Sequence, residues 1–370
     1  MHTTAQQHII IGGGLIGLLS AYYLREAGQK VTVVDKGAIG KESSWAGGGI
    51  LSPLYPWRYP DAVTELASWS QNAYPDLIQR LSRDTQIDAQ LNRCGLMILD
   101  ESDINTAISW AERYRKPIEL IPPSIQKKIA PGINPDITPK QALWLPDIAQ
   151  IRNPRMIKAL AMHLTQRGVP ILENMPVSEI ATHNHRLKGI VVNGKMMPAS
   201  SVTVACGAWS SQLLKNHPVA LTIEPVKGQM IIFKAIPQLL TPLLLSDSHY
   251  LIPRLDGRIL AGSTLEYVGF DKHKTPEAKN QLHQFATKLY PALADYPVEH
   301  HWSGLRPGSA TQIPLICQHP DINGLYINTG HFRNGVVTAP ASARLLVDLI
   351  LNNKPILDRK AYIAQTYSVK

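Results

Sequence analysis

The chain has 370 residues, 44% of them hydrophobic and 18% charged, and a formal net charge of +9. This length and balance predict a globular protein of about two structural units with a sizeable core, and they exclude a disordered chain. Because lysine and arginine are scattered, with no run of four or more, no nucleic-acid partner is expected. The excess positive charge is compatible with attraction of anionic ligands and equally with solubility alone.

The cysteines and histidines argue against a metal centre. Cys94, Cys206 and Cys317 are odd in number and far apart, and the sequence has no Cys-x-x-Cys pair. This pattern excludes a disulfide framework and a cysteine-rich metal site, and it suits a reducing compartment. The 13 histidines stand outside any metal-ligand motif, so we expect no metal.

Residues 1–24 have the sequence of the start of a folded domain and not that of a signal peptide or a membrane span. Residues 9–24 are mostly apolar, but residues 1–7 contain no lysine or arginine, which argues against a signal peptide. Glycines interrupt the apolar run, and it is shorter than the roughly 20 residues that a membrane span needs. We therefore expect a soluble, cytoplasmic protein without a membrane partner.

The N-terminal segment predicts a dinucleotide-binding unit of strand, turn, helix and second strand. A β-branched run leads into the pattern Gly12-x-Gly14-x-x-Gly17, a helical pattern follows, and the apolar run 31–34 ends at Asp35. The first glycine permits the tight turn, the second lets the backbone approach a pyrophosphate, and the third lets the helix pack on the strand. Asp35 stands where a carboxylate would meet a ribose hydroxyl.

A second glycine-rich block follows this unit. Residues 40–53 contain too much glycine for a regular element, and the hydroxyls of Ser43 and Ser44 stand close to three consecutive glycines. Such a segment suits backbone wrapped around a ligand. The alternative is a mobile surface loop.

The rest of the chain alternates helical and strand-like patterns. Helical periodicity covers residues 62–92, 154–167 and 340–351. Strand-like runs cover residues 169–173, 201–204, 228–233, 250–254, 258–262 and 324–329, and another begins at Val177. Asp256-Gly257 predicts a tight hairpin turn, and the proline-rich stretch 117–146 predicts an irregular connection.

Four separated blocks carry a family resemblance: residues 12–35, 43–53, 204–210, and 304–308 together with 330–335. In order and content they resemble flavoproteins of the D-amino acid oxidase superfamily, and most closely the glycine oxidase branch associated with thiamine synthesis. The segment from Glu42 to Pro53 is the most branch-specific. Asp35 departs from the pattern, because glycine oxidases more often have glutamate there, but either carboxylate accepts from ribose hydroxyls.

Pattern and resemblance together predict an α/β fold. An FAD-binding Rossmann-like domain of the glutathione-reductase type would comprise residues 1–80, 151–215 and 302–370. A largely antiparallel β substrate-binding domain, inserted into it, would comprise residues 81–150 and 216–301.

The resemblance implies non-covalent FAD, and a nicotinamide enzyme would give no reason for the later glycine-rich blocks. Cys317 lacks the surroundings of the flavin-binding cysteine in sarcosine oxidases, so we expect it to be structural. Beside Gly12, Gly14 and Gly17 of the first motif, the expected cofactor residues are Leu15, Ile16, Asp35, Lys36, Ser43, Ser44, Gly47, Gly48, Gly49, Ile50, Val177, Phe332, Arg333, Asn334, Gly335, Val336, Val337 and Thr338. The last seven form a loop and helix start that would approach the flavin ring near N1 and C2=O.

Substrate residues follow from the need to hold an amino acid by its carboxylate. Arginine offers a planar fork for this purpose, and we expect Arg306 to be the anchor. By resemblance, Tyr250 is the second carboxylate donor; a half-buried structural tyrosine is the alternative. Arg333 is expected beside the flavin and substrate, or else as a salt-bridged loop arginine.

The resemblance implies oxidation of glycine, sarcosine or small D-amino acids by hydride transfer from Cα to flavin N5. The imine would hydrolyse to the 2-oxo acid and ammonia or amine, and O₂ would reoxidise the flavin with release of H₂O₂. No protein base is needed if the amine loses its proton before or on binding. A homotetramer is implied as well.

Two other functions stay open at this point. One is a D-amino acid dehydrogenase that passes electrons to a quinone or another acceptor instead of oxygen. The other is a non-catalytic flavin-binding protein. Oxygen reactivity cannot be deduced from these motifs.

Overall fold

The computed structural model describes residues 7–219 and 222–363, so the parts of the predicted domains at 1–6, 220–221 and 364–370 lie outside the described residues. The described strands are β1 (Gln7–Ile11), β2 (Lys30–Val34), β3 (Asn92–Arg93), β4 (Leu96–Ile98), β5 (Glu119–Ile121), β6 (Ala142–Leu145), β7 (Ala149–Gln150), β8 (Ile171–Leu172), β9 (Val177–His183), β10 (Arg186–Val192), β11 (Lys195–Pro198), β12 (Ser201–Val204), β13 (Ile223–Phe233), β14 (Leu243–Ser246), β15 (His249–Pro253), β16 (Ile259–Gly262), β17 (Val298–Ser309), β18 (Leu315–Gln318) and β19 (Leu325–Thr329). The described α-helices are α1 (Leu15–Glu26), α2 (Ser43–Ala46), α3 (Asp61–Thr85), α4 (Ile104–Tyr114), α5 (Pro123–Ile129), α6 (Asn153–Gln166), α7 (Ser210–Leu213), α8 (Pro276–Leu289) and α9 (Gly335–Ile350).

One sheet has six strands in the order β18-β19-β12-β1-β2-β8. Five of these strands are parallel, and β18 pairs antiparallel with β19 at the edge. The strands come from the start, the middle and the end of the chain, as the sequence predicts for the nucleotide-binding unit. This mostly parallel sheet, with α1, α6 and α9 among the elements of its core, confirms the α/β fold class.

The close packing of α1 on β1 depends on two glycines. Gly12 has a φ of 113°, and a Cβ at this position would overlap the carbonyl of Ala205. A Cβ at Gly17 would overlap the carbonyl oxygen of Gly12. The helix therefore reaches the sheet only because both positions lack a side chain.

The last helix begins earlier than the sequence indicates. The helical periodicity predicts a start at Pro340, whereas the family resemblance predicts a loop and helix start within residues 332–338. Helix α9 begins at Gly335, so the boundary from periodicity is wrong. Proline lacks an N–H, which leaves the carbonyl of Val336 without a helical partner. Tyr74 of α3 donates its hydroxyl to that carbonyl at 2.5 Å, and Ser70 accepts at 3.0 Å from the N–H that follows the proline. A neighbouring helix thus compensates for the proline.

A second sheet has eight strands in the order β17-β13-β16-β15-β14-β4-β6-β5. Only β14 and β4 run parallel, so the sheet is largely antiparallel, as predicted. The hairpin of β15 and β16 is confirmed, with Gly257 in its turn at a φ of 88°. Two smaller antiparallel sheets contain β9 to β11 and the pair β3 and β7.

Three sequence predictions about the connections are wrong. Residues 40–53, expected to contain no regular element, include the short helix α2. The stretch 117–146 is not merely irregular, because it contains β5, α5 and β6, and two of these strands extend the eight-stranded sheet. Its prolines sit where they do no harm: Pro123 is the first residue of α5. The helix predicted over 62–92 ends at Thr85, where Gln86 adopts a left-handed conformation with a φ of 58°.

Among the described helices, none combines the length and the apolarity that crossing a bilayer requires.

The packing of α1 yields a prediction with an unusual sign. Alanine normally stabilises a helix interior relative to glycine, but Gly17→Ala should destabilise this protein by about 1–3 kcal/mol because the new methyl group overlaps the Gly12 carbonyl. Gly37→Ala is the matched control, since nothing lies within 4 Å of a Cβ there. Thermal and urea unfolding measure both variants. A Gly17→Ala variant as stable as Gly37→Ala would contradict the packing argument.

Candidate active site

A cavity of about 430 Å³ lies where the two large sheets meet. Its wall contains Ile11, Ala205 and Thr329, which stand at or just beyond the carboxyl ends of β1, β12 and β19. Tyr250 and Arg306 from the eight-stranded sheet belong to the same wall. Open α/β sheets bind their ligands at this edge, so the position is that of a nucleotide site with a second ligand site beside it.

Most of the predicted cofactor residues line this cavity. They are Gly12, Gly14, Leu15, Ile16, Asp35, Lys36, Ser43, Ser44, Gly47, Gly48, Gly49, Ile50, Val177, Phe332, Arg333, Gly335 and Val336. Gly17, Asn334, Val337 and Thr338 are buried outside the lining. Gly17 is used in packing α1 on β1. Thr338 Oγ1 lies 2.9 Å from the Asn334 carbonyl oxygen and 3.1 Å from His331 Nδ1 at the start of α9.

The N-terminus of α1 opens onto the cavity beside a hydroxyl group. Ser44 Oγ accepts from the backbone N–H of Leu15 at 2.9 Å. A Cβ at Gly14 would lie 3.0 Å from that oxygen, so a larger side chain would crowd the start of the helix. Helix N-termini with unobstructed N–H groups bind phosphate well. The residues present therefore fit a dinucleotide diphosphate.

Asp35 has a structural contact that the sequence does not indicate. Its carboxylate accepts from the N–H of Gly13 at 2.6 Å and from that of Gly37 at 2.9 Å. Burial raises the pKa of Asp35, while these two bonds act in the opposite direction. The carboxylate thus fixes the glycine turn, and its remaining lone pairs stay available to a ribose hydroxyl.

Lys36 and Trp209 form a further part of the wall. The lysine Nζ lies 3.3 Å from the centre of the indole ring, and burial lowers the pKa of this lysine. Phe270 packs on Trp209, with 5.6 Å between the ring centroids. Sequence analysis gave Trp209 no role, because the only signal was its place in the 204–210 block.

The glycine-rich segment 47–49 is held from both sides. Asn153 donates to the carbonyl of Gly47 at 2.9 Å, and Arg254 donates to that of Gly48 at 2.8 Å. Gly49 has a φ of 82°, and a Cβ there would overlap the carbonyl of Ile151. Burial lowers the pKa of Arg254 to about 10. Sequence reasoning missed this arginine, whose only signal was a charge at the end of an apolar strand.

Arg306 lies flat against a residue that has no side chain. A Cβ at Gly228 would overlap its guanidinium. Nη1 donates to the carbonyls of Lys227 and Thr264 at 3.3 and 3.2 Å, and Nη2 donates to Ser263 Oγ at 2.7 Å. These three bonds leave the N–H of Nε and one N–H of Nη2, and the Tyr250 phenol lies within hydrogen-bonding reach of the guanidinium.

Tyr250 and Arg333 surround this guanidinium. Burial lowers the pKa of Arg306, the positive charge of Arg333 lowers it further, and the Tyr250 phenol acts in the opposite direction. Arg333 donates to the Ser248 carbonyl at 3.3 Å, and no carboxylate in residues 7–219 and 222–363 lies within 4.0 Å of it. The salt-bridged alternative for Arg333 is therefore not what the described structure contains. Two cations beside a cavity favour an anionic ligand.

His331 also lines the cavity, but its ring is fully engaged. Nε2 is 2.8 Å from Asn328 Oδ1, and Nδ1 is 3.1 Å from Thr338 Oγ1. Burial lowers the pKa of His331 to about 3. An imidazole that stays neutral and has both nitrogens in hydrogen bonds is a poor proton acceptor. Within the described residues, no group of three His, Cys, Asp or Glu side chains could hold a metal ion.

Comparison of the sequence with known proteins agrees with this geometry. The family model described as FAD dependent oxidoreductase (DAO) matches residues 7–349. The chain is 43% identical to the glycine oxidase of Pseudomonas aeruginosa over 97% of this chain and 98% of that protein. It is 30% identical to the bifunctional protein ThiO/ThiG of Trichormus variabilis over 96% of this chain, which corresponds to 54% of that protein.

Comparison of the structure gives the same grouping. The glycine oxidase of Geobacillus kaustophilus superimposes with a TM-score of 0.91 and 25% identity over 98% of this chain and all of that one. The glycine oxidase of Bacillus cereus gives a TM-score of 0.89 and 28% identity over 99% of both chains. The chain therefore belongs to the DAO family of FAD-dependent oxidoreductases, and FAD is its cofactor.

Proposed function

We propose that this enzyme oxidises glycine and other small amines, such as sarcosine and small D-amino acids, with O₂ as the electron acceptor. The products would be the 2-oxo acid, ammonia or an amine, and H₂O₂. The observation that carries the proposal is the position of Arg306. Its guanidinium lies in the wall of the cofactor cavity and has N–H groups beyond those bonded to Lys227, Thr264 and Ser263. The likeness to glycine oxidases supports the substrate class.

Arg306 and Tyr250 would bind and orient the substrate. The N–H groups left on Nε and Nη2 would bind the substrate carboxylate. Arg333, which pairs with no carboxylate among the described residues, would add positive charge beside it. The Tyr250 hydroxyl, which contacts Met230 Sδ at 3.7 Å, would be the second donor. When bound, FAD supplies the acceptor for hydride from the substrate Cα. The role of the protein is therefore to fix the direction of that Cα–H.

No side chain has to remove a proton in this scheme. His331, the histidine nearest to the start of α9, is held neutral between Asn328 and Thr338. The substrate amine would lose its proton before or on binding. Gly335 and Val336, the first residues of α9, line the cavity, and a helix N-terminus there would stabilise negative charge on the reduced cofactor.

The finer assignments belong to the same proposal. The cofactor-binding domain would comprise residues 1–80, 151–215 and 302–370, with the substrate domain in the two intervening ranges. The 25 residues between β17 and α9, which include β18 and β19, would then lie within the first domain. Strand β17 (Val298–Ser309) belongs to the eight-stranded sheet and spans the proposed boundary at residue 302. A homotetramer, a cytoplasmic location and a supply of product for thiamine thiazole synthesis follow from the resemblance to glycine oxidases.

We expect FAD to be bound without a covalent link. Cys317 does not line the described cavity. Cys206 does, but its Sγ donates to the Ile11 carbonyl at 3.2 Å, and burial raises the pKa of this thiol to about 12, so little thiolate forms. Acid precipitation should leave the yellow chromophore in the supernatant for wild type and for Cys206→Ala alike. Flavin retained on the wild-type precipitate would contradict this expectation.

The reaction itself is tested without oxygen first. Glycine added anaerobically to the FAD-loaded enzyme should bleach the flavin absorbance, and admission of air should restore it with release of H₂O₂. Sarcosine and D-alanine form the comparison panel, and L-alanine is the control. Bleaching that only a quinone reverses would identify a dehydrogenase, and no bleaching by any amine would favour a non-catalytic flavin-binding protein.

Arg306→Lys should damage oxidation far more than cofactor binding. The change keeps the charge but loses the planar fork, and one lost charge-assisted hydrogen bond costs about 1.5–3 kcal/mol, roughly a 10- to 150-fold loss of kcat/KM. Tyr250→Phe removes one hydroxyl and should lose less. Steady-state kinetics on variants with full flavin content measure the effect.

Ser263 supplies the matched control for this prediction. Ser263→Ala leaves the guanidinium and removes one of its three protein acceptors, so its loss should be smaller, appear mainly in KM, and be reversed in Ser263→Thr. Near-normal kcat/KM of Arg306→Lys with glycine and sarcosine would mean that the carboxylate is bound elsewhere.

A further inference from the structure

A second cavity, of about 160 Å³, lies on the other side of the glycine-rich segment. Ser52 lines both cavities, so the two adjoin through residues 51–53. The wall of the second one is built from α3, α4 and the connections around β3 and β6. An apolar cavity of about 150 Å³ holds a molecule of the size of benzene, so this space suits a small organic ligand.

The wall is mostly apolar and contains one half-buried cation. Leu51, Leu91, Trp110, Leu145 and Ile148 provide the apolar surface. The indole N–H of Trp110 is satisfied within the wall by Thr64 Oγ1 at 3.3 Å. This surface would contact the hydrocarbon part of a ligand.

Lys116 is the cation of this cavity, and its recorded partner is neutral. Nζ donates to Gln71 Oε1 at 2.9 Å, and no carboxylate of the described residues lies within 4.0 Å of it. Burial lowers the pKa of Lys116, while the more distant Asp147 acts in the opposite direction. Arg93 contacts Asp147 at 3.9 Å at the exposed rim. A half-enclosed ammonium paired only with an amide is incompletely compensated.

We propose that this cavity is a second ligand site, which binds a small monocarboxylate with an apolar body at Lys116. A single carboxylate would match the one enclosed cation, whereas Asp147 at the rim disfavours a dianion. The ring or chain of the ligand would lie against Trp110 and the leucine side chains. The proposed site depends on neither Arg306 nor the reaction, so it stands if the amine-oxidation proposal fails; Arg306 enters only the binding test, as a second place where a carboxylate can bind.

The ligand would also lie beside a chain of hydrogen bonds that reaches the first cavity. Gln71, the partner of Lys116, donates its amide to the carbonyl of Leu51 at 2.8 Å. That residue is anchored in turn through its N–H to the Ala149 carbonyl at 2.9 Å. The second site is therefore linked through Gln71 to the segment that follows Ile50 in the first cavity.

The test is equilibrium binding of 4-fluorobenzoate to the FAD-loaded enzyme, followed by ¹⁹F NMR. Because Arg306 also attracts carboxylates, wild type should show two classes of binding. Lys116→Met should weaken one class at least tenfold, and Arg306→Met should weaken the other. Lys116→Arg keeps the charge and should retain both classes, and Lys128→Met on the exposed face of α5 is the control for loss of a lysine.

A filling variant separates ligand contact from damage to the fold. Ser68→Phe introduces a ring into the wall while Lys116 stays in place, and it should remove the same class that Lys116→Met weakens. Melting temperature and flavin content are measured for every variant. The proposal is overturned if Arg306→Met removes all binding, or if Ser68→Phe and Lys116→Met both bind as wild type does.

Discussion

The contact between Gly17 and the carbonyl of Gly12 sets the distance between α1 and the six-stranded sheet. With that distance fixed, the N-terminus of α1 stands beside Ser44, and the Asp35 carboxylate reaches the N–H of Gly13. Each of these bonds needs the helix to start at this height above β1. A displacement of α1 by the width of one methyl group would therefore affect packing, the glycine turn and the phosphate site together.

Two arginines with the same number of bonds have different surroundings. Arg254 and Arg306 each donate three recorded hydrogen bonds to neutral protein acceptors, and burial lowers the pKa of both. The number of unused donors does not distinguish them. Their location does, because Arg306 lines the cofactor cavity whereas Arg254 supports the carbonyl of Gly48 from outside the lining. Arg306 therefore borders the cavity itself, whereas Arg254 holds the segment that forms part of the cavity wall.

A feature of the fold or of the site could be predicted from the sequence when the residues that determine it are close together in the chain. The glycine motif and much of the strand pattern are signalled by nearby residues, and these could be identified in the sequence. The start of α9 could not be identified from the helical periodicity, because the group that compensates for Pro340 is Tyr74, 266 positions earlier in the chain. The role of Asp35 at the turn and the support of Gly48 by Arg254 likewise depend on distant contacts. Strands β5 and β6 and helix α5 were not predicted in residues 117–146, because a segment with many prolines has the composition of a loop even where a proline is the first residue of a helix.

The junction of the two sheets explains why cofactor and substrate sites should respond together. Side chains from outside the first sheet donate to backbone carbonyls in and beside the glycine-rich segment 47–49. Trp302 donates to Ala46 at 3.0 Å, Arg254 to Gly48 at 2.8 Å and Gln71 to Leu51 at 2.8 Å. A segment this rich in glycine has little conformational preference of its own. Its shape is therefore determined by these donors, which belong to the eight-stranded sheet and to α3. A change in the packing of the eight-stranded sheet or of α3 would therefore shift these carbonyls and reshape the cavity wall, even with every residue that lines the cavity unchanged.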